Sequence, residues 1–216
     1  MSKDLKHHSS RPRTTTDPHG EERPLRVVTG GQTYESLVHG LVRREEAAAR
    51  QVYGLFGERI NHLVFRLLGV DAEHDDVVNQ VFQNILSSIS QLKQPQALEA
   101  WIVRVAVNTV RNEIRRRKRR RLFVLLESQP ESADQPADPN AQLFVRSCYR
   151  ILDSMSTTDR LVFVLQIVEG YTLPEIADAC GCSLATVKRR LARAKARFKK
   201  RASRDFVLSD LIGEPR

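Results

Sequence analysis

Apolar residues recur three and four positions apart along most of the chain from Tyr34 onward, and no useful length of sequence alternates with a period of two. Val52, Phe56, Ile60, Leu63 and Leu67 fall on one face of a helix. Asp75, Asp76, Val77, Val78, Val81, Phe82, Ile85, Leu86 and Ile89 predict a second amphipathic helix. Its acids lie in the first turn, where the helix dipole favours negative charge. Gln91 to Gln96 reads as a loop around Pro95. Beyond it, Trp101, Ile102, Val105, Val110 and Ile114 carry a long helix into the basic run Arg115 to Arg121. Leu143 to Arg201 is helical again, with Ile151, Leu152, Leu161, Val164, Leu165, Ile176, Val187 and Leu191 among its apolar positions.

The two helical stretches are separated by Glu127 to Asn140, which holds three prolines and four acids and no base. That composition marks a linker. Residues 1–33 are rich in Ser, Thr, Pro, His and Arg without apolar period, the signature of a disordered tail. The expected fold is therefore all-α, with two small helical domains at 34–126 and 143–201. A flexible acidic linker at 127–142 joins them, and residues 202–216 form a C-terminal tail. No apolar run is long enough for a membrane span, and the first residues lack an apolar signal core, so the expected location is the cytoplasm.

Charge changes this picture by its placement. The chain of 216 residues carries a net charge of +9. Leu98 to Arg121 holds nine bases and two acids, and Leu173 to Arg201 also holds nine bases and two acids, so each is +7 and the remainder is −5. Each expected domain has its own cationic helix, which suits two separate contacts with one polyanion.

The second cationic segment, LPEIADACGCSLATVKRRLARAKARFKKR, reads as two short helices around a tight turn. Thr172 stands where it caps the first helix, with Pro174 tolerated in the first turn. Gly181 supplies the turn, and Ser183 caps the second helix. Ile176, Val187 and Leu191 lock the pair, leaving a basic outer face. This is the pattern of a helix-turn-helix reader of duplex DNA. Ser183, Thr186, Lys188, Arg189 and Arg193 are its candidate DNA contacts, since Arg pairs bidentately with guanine while Lys and Thr reach bases or phosphates. A solvated basic helix end accounts for Lys199 to Arg201 equally well.

No catalytic constellation stands out: there is no Gly-rich phosphate loop and no Ser/His/Asp or Cys/His arrangement. Cys180 and Cys182 invite a metal reading, but zinc takes four N or S ligands and no His follows His74. Cys also buries well as a small hydrophobe. Neither a metal, nor a cofactor, nor an enzymatic activity is expected.

Asp76-Val-Val-Asn-Gln-Val-Phe82, Ala100-Trp-Ile-Val-Arg-Val-Ala-Val-Asn108 and the Arg115 run, set ahead of the helix-turn-helix, resemble a bacterial RNA polymerase sigma factor. The resemblance is greatest to the extracytoplasmic-function (ECF) group of the sigma-70 family, which keeps the regions called two and four. It covers about residues 36–201. The chain departs from the family pattern at Asn112, where an acid is usual, and at Asn79-Gln80 in place of a Gln-acid pair.

The resemblance implies a role for each segment. The C-terminal helix would read the −35 element as duplex. The helix from Asp75 would dock on polymerase through Asp75, Asp76, Asn79, Gln80 and Phe82. The loop Gln91 to Leu98 would capture an unstacked base of the −10 element. Trp101, Arg104, Asn108 and Arg111 would line the opened strand, and Arg115, Arg116 and Lys118 would meet its backbone. Trp101, at helical spacing from Val105, suits a core position as well. The implied partners are core RNA polymerase, promoter DNA and an anti-sigma factor, without membrane insertion. The residues by themselves leave open a stand-alone helix-turn-helix regulator that acts without polymerase.

Overall fold

The computed structural model describes residues 34–69, 73–123 and 139–212. The expected tail at 1–33 and the linker up to residue 138 lie outside them. All regular structure among the described residues is helical. Helices α1 (Tyr34–Val42), α2 (Glu46–Leu68), α3 (His74–Ser88) and α4 (Leu98–Phe123) form the N-terminal half. Helices α5 (Pro139–Asp153), α6 (Thr157–Ile167), α7 (Leu173–Cys180), α8 (Leu184–Ala202) and α9 (Phe206–Ile212) form the C-terminal half. The expected loop around Pro95 contains two short 3-10 turns, Ile89–Gln91 and Pro95–Ala97.

The periodic apolar positions are the core. Val52, Phe56, Ile60, Leu63 and Leu67 turn inward from α2, and Val77, Val78, Val81 and Ile85 from α3. Leu98, Ile102, Ala106, Val107 and Val110 bury the facing side of α4. In the C-terminal half Leu161, Val162, Val164 and Leu165 bury α6, while Ile176, Val187 and Leu191 join α7 to α8. Each fully buried Leu, Ile or Val contributes about 1.5–3 kcal/mol relative to leaving it in water.

Two boundaries differ from the expectation. Helix α5 starts at Pro139, inside the span read as linker, because Pro is suited to a helix's first turn. Helix α9 falls inside the segment read as a tail, and it is held by fully buried Leu208 and by an Arg150–Asp205 ion pair at 3.2 Å. The larger difference is in assembly. The pattern suggests two bodies on a tether, but the halves pack together, α4 lying against α6 and α7, and α2 against α6. Their apolar cores are continuous.

Candidate nucleic-acid interface

The helix-turn-helix is built from local signals. Thr172 and Glu175 form a reciprocal capping box on α7: the Glu175 amide donates to the Thr172 hydroxyl at 3.4 Å, and the Thr172 amide donates to the Glu175 carboxylate at 2.8 Å. Gly181 ends α7 in the left-handed region at φ 61°, which a residue with a Cβ adopts only under strain. Ser183 starts α8 by accepting from the Thr186 amide at 3.2 Å. Val187, fully buried, and Leu191 hold α8 to the body, so Lys188 and Arg189 project into solvent one turn past the cap. Three of the five candidate contacts, Ser183, Thr186 and Arg193, are also structural. Ser183 caps the helix with Thr186 beside it, their hydroxyls 2.9 Å apart.

Arg193 is not a free cation. It donates from Nε and Nη2 to the two oxygens of Asp159 at 2.9 and 2.7 Å, and Arg190 reaches the same carboxylate at 3.3 Å. Burial works to raise the Asp159 pKa, but the hydrogen bonds from Arg193 and Ser156 outweigh it and hold the carboxyl below its ordinary value. Asp159 thus sets the angle of α8 on α6 through the very face expected to meet DNA.

The long helix α4 carries the other candidate surface. Trp101, Arg104, Asn108 and Arg111 are spaced by three, four and three residues, so they share one face. Trp101 is half-buried against the core. Arg104 pairs with Asp178 of α7. Arg111 donates to Asn108 Oδ1 at 2.9 Å and to the Cys180 carbonyl at 2.8 Å. The candidate strand-lining face is therefore brought together, and it is brought together beneath α7.

Farther along α4 the arginine run divides. Glu113, almost fully buried, accepts from Arg116 and Arg117, and Glu73 ahead of α3 accepts from Arg116 at 3.2 Å and from Arg120 at 3.1 Å. Burial tends to raise the Glu113 pKa, yet the hydrogen bonds from Arg116 and Arg117 bring it below the usual value. Repulsion among these cations is thus relieved partly from within. Lys118 donates to the Met155 carbonyl of the C-terminal half, while Arg115 stays exposed. The signal for Glu113 is its i,i+3 and i,i+4 spacing to Arg116 and Arg117. No spacing signal links Asp159 to Arg193.

On α3 the candidate docking residues Asp75, Asp76, Asn79 and Gln80 are exposed, and Phe82 is half-buried. Phe82 packs on Tyr53 with ring centroids 4.8 Å apart, and Tyr53 and Leu86 leave apolar area open. Gln80 donates to Asn84 at 3.1 Å, and Asn84 to Thr109 at 2.8 Å, which ties this surface to α4.

Cys148, Cys180 and Cys182 are free thiols; burial, opposed by Arg111, pushes the Cys180 pKa up. Cys180 therefore packs as an apolar residue.

Two family matches fall on these elements in order. Residues 52–120 match Sigma-70 region 2, and residues 146–198 match Sigma-70, region 4. The chain is 30% identical over 150 residues to the ECF RNA polymerase sigma factor SigE of Mycolicibacterium smegmatis, an alignment that spans 66% of this chain but only 56% of that protein. It is 25% identical to the RNA polymerase sigma factor NccH of Alcaligenes xylosoxydans xylosoxydans, over 85% of this chain and 95% of NccH. A solved structure of CnrH in complex with the cytosolic domain of CnrY superposes with a TM-score of 0.56 at 22% identity, covering 79% of this chain and 97% of that one. The sigma factor RpoE from Bartonella quintana, solved with the anti-sigma factor NepR, gives 0.54 at 21% identity, covering 72% and 97%. With regions 2 and 4 both present, in order, on the helices that carry the two cationic faces, the chain belongs to the ECF group of the sigma-70 family of RNA polymerase sigma factors.

Proposed function

We infer that this chain joins core RNA polymerase and directs promoter-specific initiation by two-point reading of DNA. The observation that carries this is the pairing of a helix-turn-helix, with Lys188 and Arg189 exposed, and a second cationic helix bearing Arg104, Asn108 and Arg111 on one face. Duplex DNA suits the first, since a capped helix of α8's length fits a major groove. Single-stranded DNA suits the second, which offers cations, an amide and the half-buried indole of Trp101. Joining two weak contacts in one chain raises the effective concentration of each.

In this reading 34–126 and 143–201 are the two functional domains, α3 docks on polymerase through Asp75, Asp76, Asn79, Gln80 and Phe82, and an anti-sigma protein restrains the chain. The sigma factor acts as a recognition subunit in the cytoplasm and performs no catalysis of its own. No helix among the described residues is long and apolar enough to cross a membrane. The test is run-off transcription from a promoter library by core polymerase with and without the chain. Initiation at a defined subset of promoters only when the chain is added is expected; an unchanged transcript profile would refute the reading.

A further inference from the structure

Helix α2 ends in carbonyls that no further helical turn can satisfy. Gly69 turns the chain away at φ 85° and returns its amide to the Phe65 carbonyl at 2.7 Å. The rest of the cap comes from the other half of the molecule. The Tyr149 hydroxyl lies 3.2 Å from the Phe65 carbonyl and 3.1 Å from that of Arg66. Arg160 donates from Nε to the Leu67 carbonyl and from Nη2 to the Leu68 carbonyl, both at 2.9 Å, and its third nitrogen pairs with Asp153. All four terminal carbonyls of α2 thus have a partner, and among the described residues those of Arg66, Leu67 and Leu68 find theirs on α5 and α6.

The fit is close. Arg160 is 2% exposed, its guanidinium stands 5.8 Å from the centre of the Tyr149 ring, and a Cβ on Gly69 would sit 2.8 Å from that ring. Burial pushes the Tyr149 phenol up to about 12, so it keeps its proton and remains a donor at neutral pH. The device is reciprocal. Arg111 of α4 donates to the carbonyl of Cys180, the last residue of α7, and Arg104 pairs with Asp178 in the same helix. The face that α7 covers is the one bearing Trp101, Arg104, Asn108 and Arg111.

The two ends of this contact are unequal. At α2 every nitrogen of Arg160 has an acceptor. At α4 the Nε atoms of Arg104 and Arg111 are shut off from solvent with no acceptor among the described residues. Unsatisfied buried donors weaken a contact, and phosphate oxygens are the acceptors that a DNA strand would bring to such a face.

We propose that Arg160 and Tyr149 form an intramolecular latch that caps α2 from the C-terminal half and thereby holds α7 over the strand-facing side of α4. The free chain is then closed to single-stranded DNA, and polymerase and the promoter strand together open it. The proposal rests on the two-point reading above and adds its regulation.

The test compares wild type with Tyr149→Phe, which keeps the ring and removes only the hydroxyl, and with Arg160→Ala. Each free, full-length protein is measured by small-angle X-ray scattering and by anisotropy with a labelled mixed-sequence single-stranded oligonucleotide at one salt concentration. Circular dichroism reports helix content. Opening removes the penalty of a scarcely populated competent state, so strand affinity should rise about tenfold in Tyr149→Phe with a larger radius of gyration and unchanged helix content. Arg160→Ala should do the same or more. Wild type already extended in solution, or Tyr149→Phe with wild-type radius and strand affinity, would overturn the latch. Promoter-specific transcription is scored separately, so a chain that initiates without latching, or latches without initiating, tells the two claims apart.

Discussion

Helices α4 and α8 sit in segments of equal charge, each with nine bases and two acids, yet they present themselves differently. On α8 the candidate duplex contacts Lys188 and Arg189 stand free beside the turn. On α4 the candidate strand contacts Arg104 and Arg111 are bound to α7. Charge therefore names the class of ligand, whereas packing decides which face is ready for it. A duplex reader needs no rearrangement to meet intact DNA. A strand reader has nothing to bind until the duplex opens, so covering it costs no encounter.

The strongest way to break this contrast is through α7, which belongs to both surfaces. Ile176 is fully buried, and Ile176→Ala should destabilise the C-terminal half by about 2–5 kcal/mol. Urea unfolding followed by hydrogen exchange should then show weaker protection in α7 and α8 before α2 and α3. Uniform weakening across both halves would mean that the two form one cooperative unit.

Replacing Lys188 and Arg189 with Ala should reduce discrimination at the upstream duplex by about 1–3 kcal/mol for each base that the helix no longer reads, with polymerase binding kept. Anisotropy on matched and mismatched duplexes reads the first quantity, and co-elution with core polymerase the second. A simultaneous fall in both would contradict the separation of roles.

Thr172→Ala removes one half of the capping box and should cost about 1 kcal/mol, visible as a lower urea midpoint. The smallest effect is that of acid. Glu113 and Asp159 have folded pKa values below their ordinary values of 4.5 and 3.8. Their contribution is therefore present above those values and lost as pH falls through the lower folded ones. Glu113→Gln should lower stability near neutral pH and flatten its fall in acid; an unchanged slope would mean that the Arg116 and Arg117 pairs add nothing.

Much of the helical pattern is legible in the sequence because it is local. The apolar faces of α2, α3 and α4, the Thr172 and Ser183 caps and the Gly181 turn each follow from neighbours within a few positions. What is not legible depends on approach in space. Asp159 and Arg193 are 34 residues apart, and Arg160 and Leu67 are 93 apart, so no periodicity connects them. Arg160 also sits in a segment that reads as an ordinary amphipathic helix, where an arginine is expected in solvent. Its burial makes sense only once the end of α2 is beside it. The same holds for Lys118 and Arg111, whose charge suggests phosphate and whose closed-state acceptors are carbonyls. Helix α9 escapes a reading by pattern because its seven residues make only about two turns, too short to show a period.

The most direct measurement is a footprint on one promoter selected from the library, taken with the chain alone, with core polymerase alone and with both. Cleavage protection reports the upstream duplex, and permanganate reports unpaired thymines downstream. The account predicts the two signals together only with the complete assembly, and no upstream protection in the Lys188→Ala, Arg189→Ala variant. Protection of a single duplex site by the chain alone, with no unpaired thymines on adding polymerase, would contradict it and identify a stand-alone regulator instead.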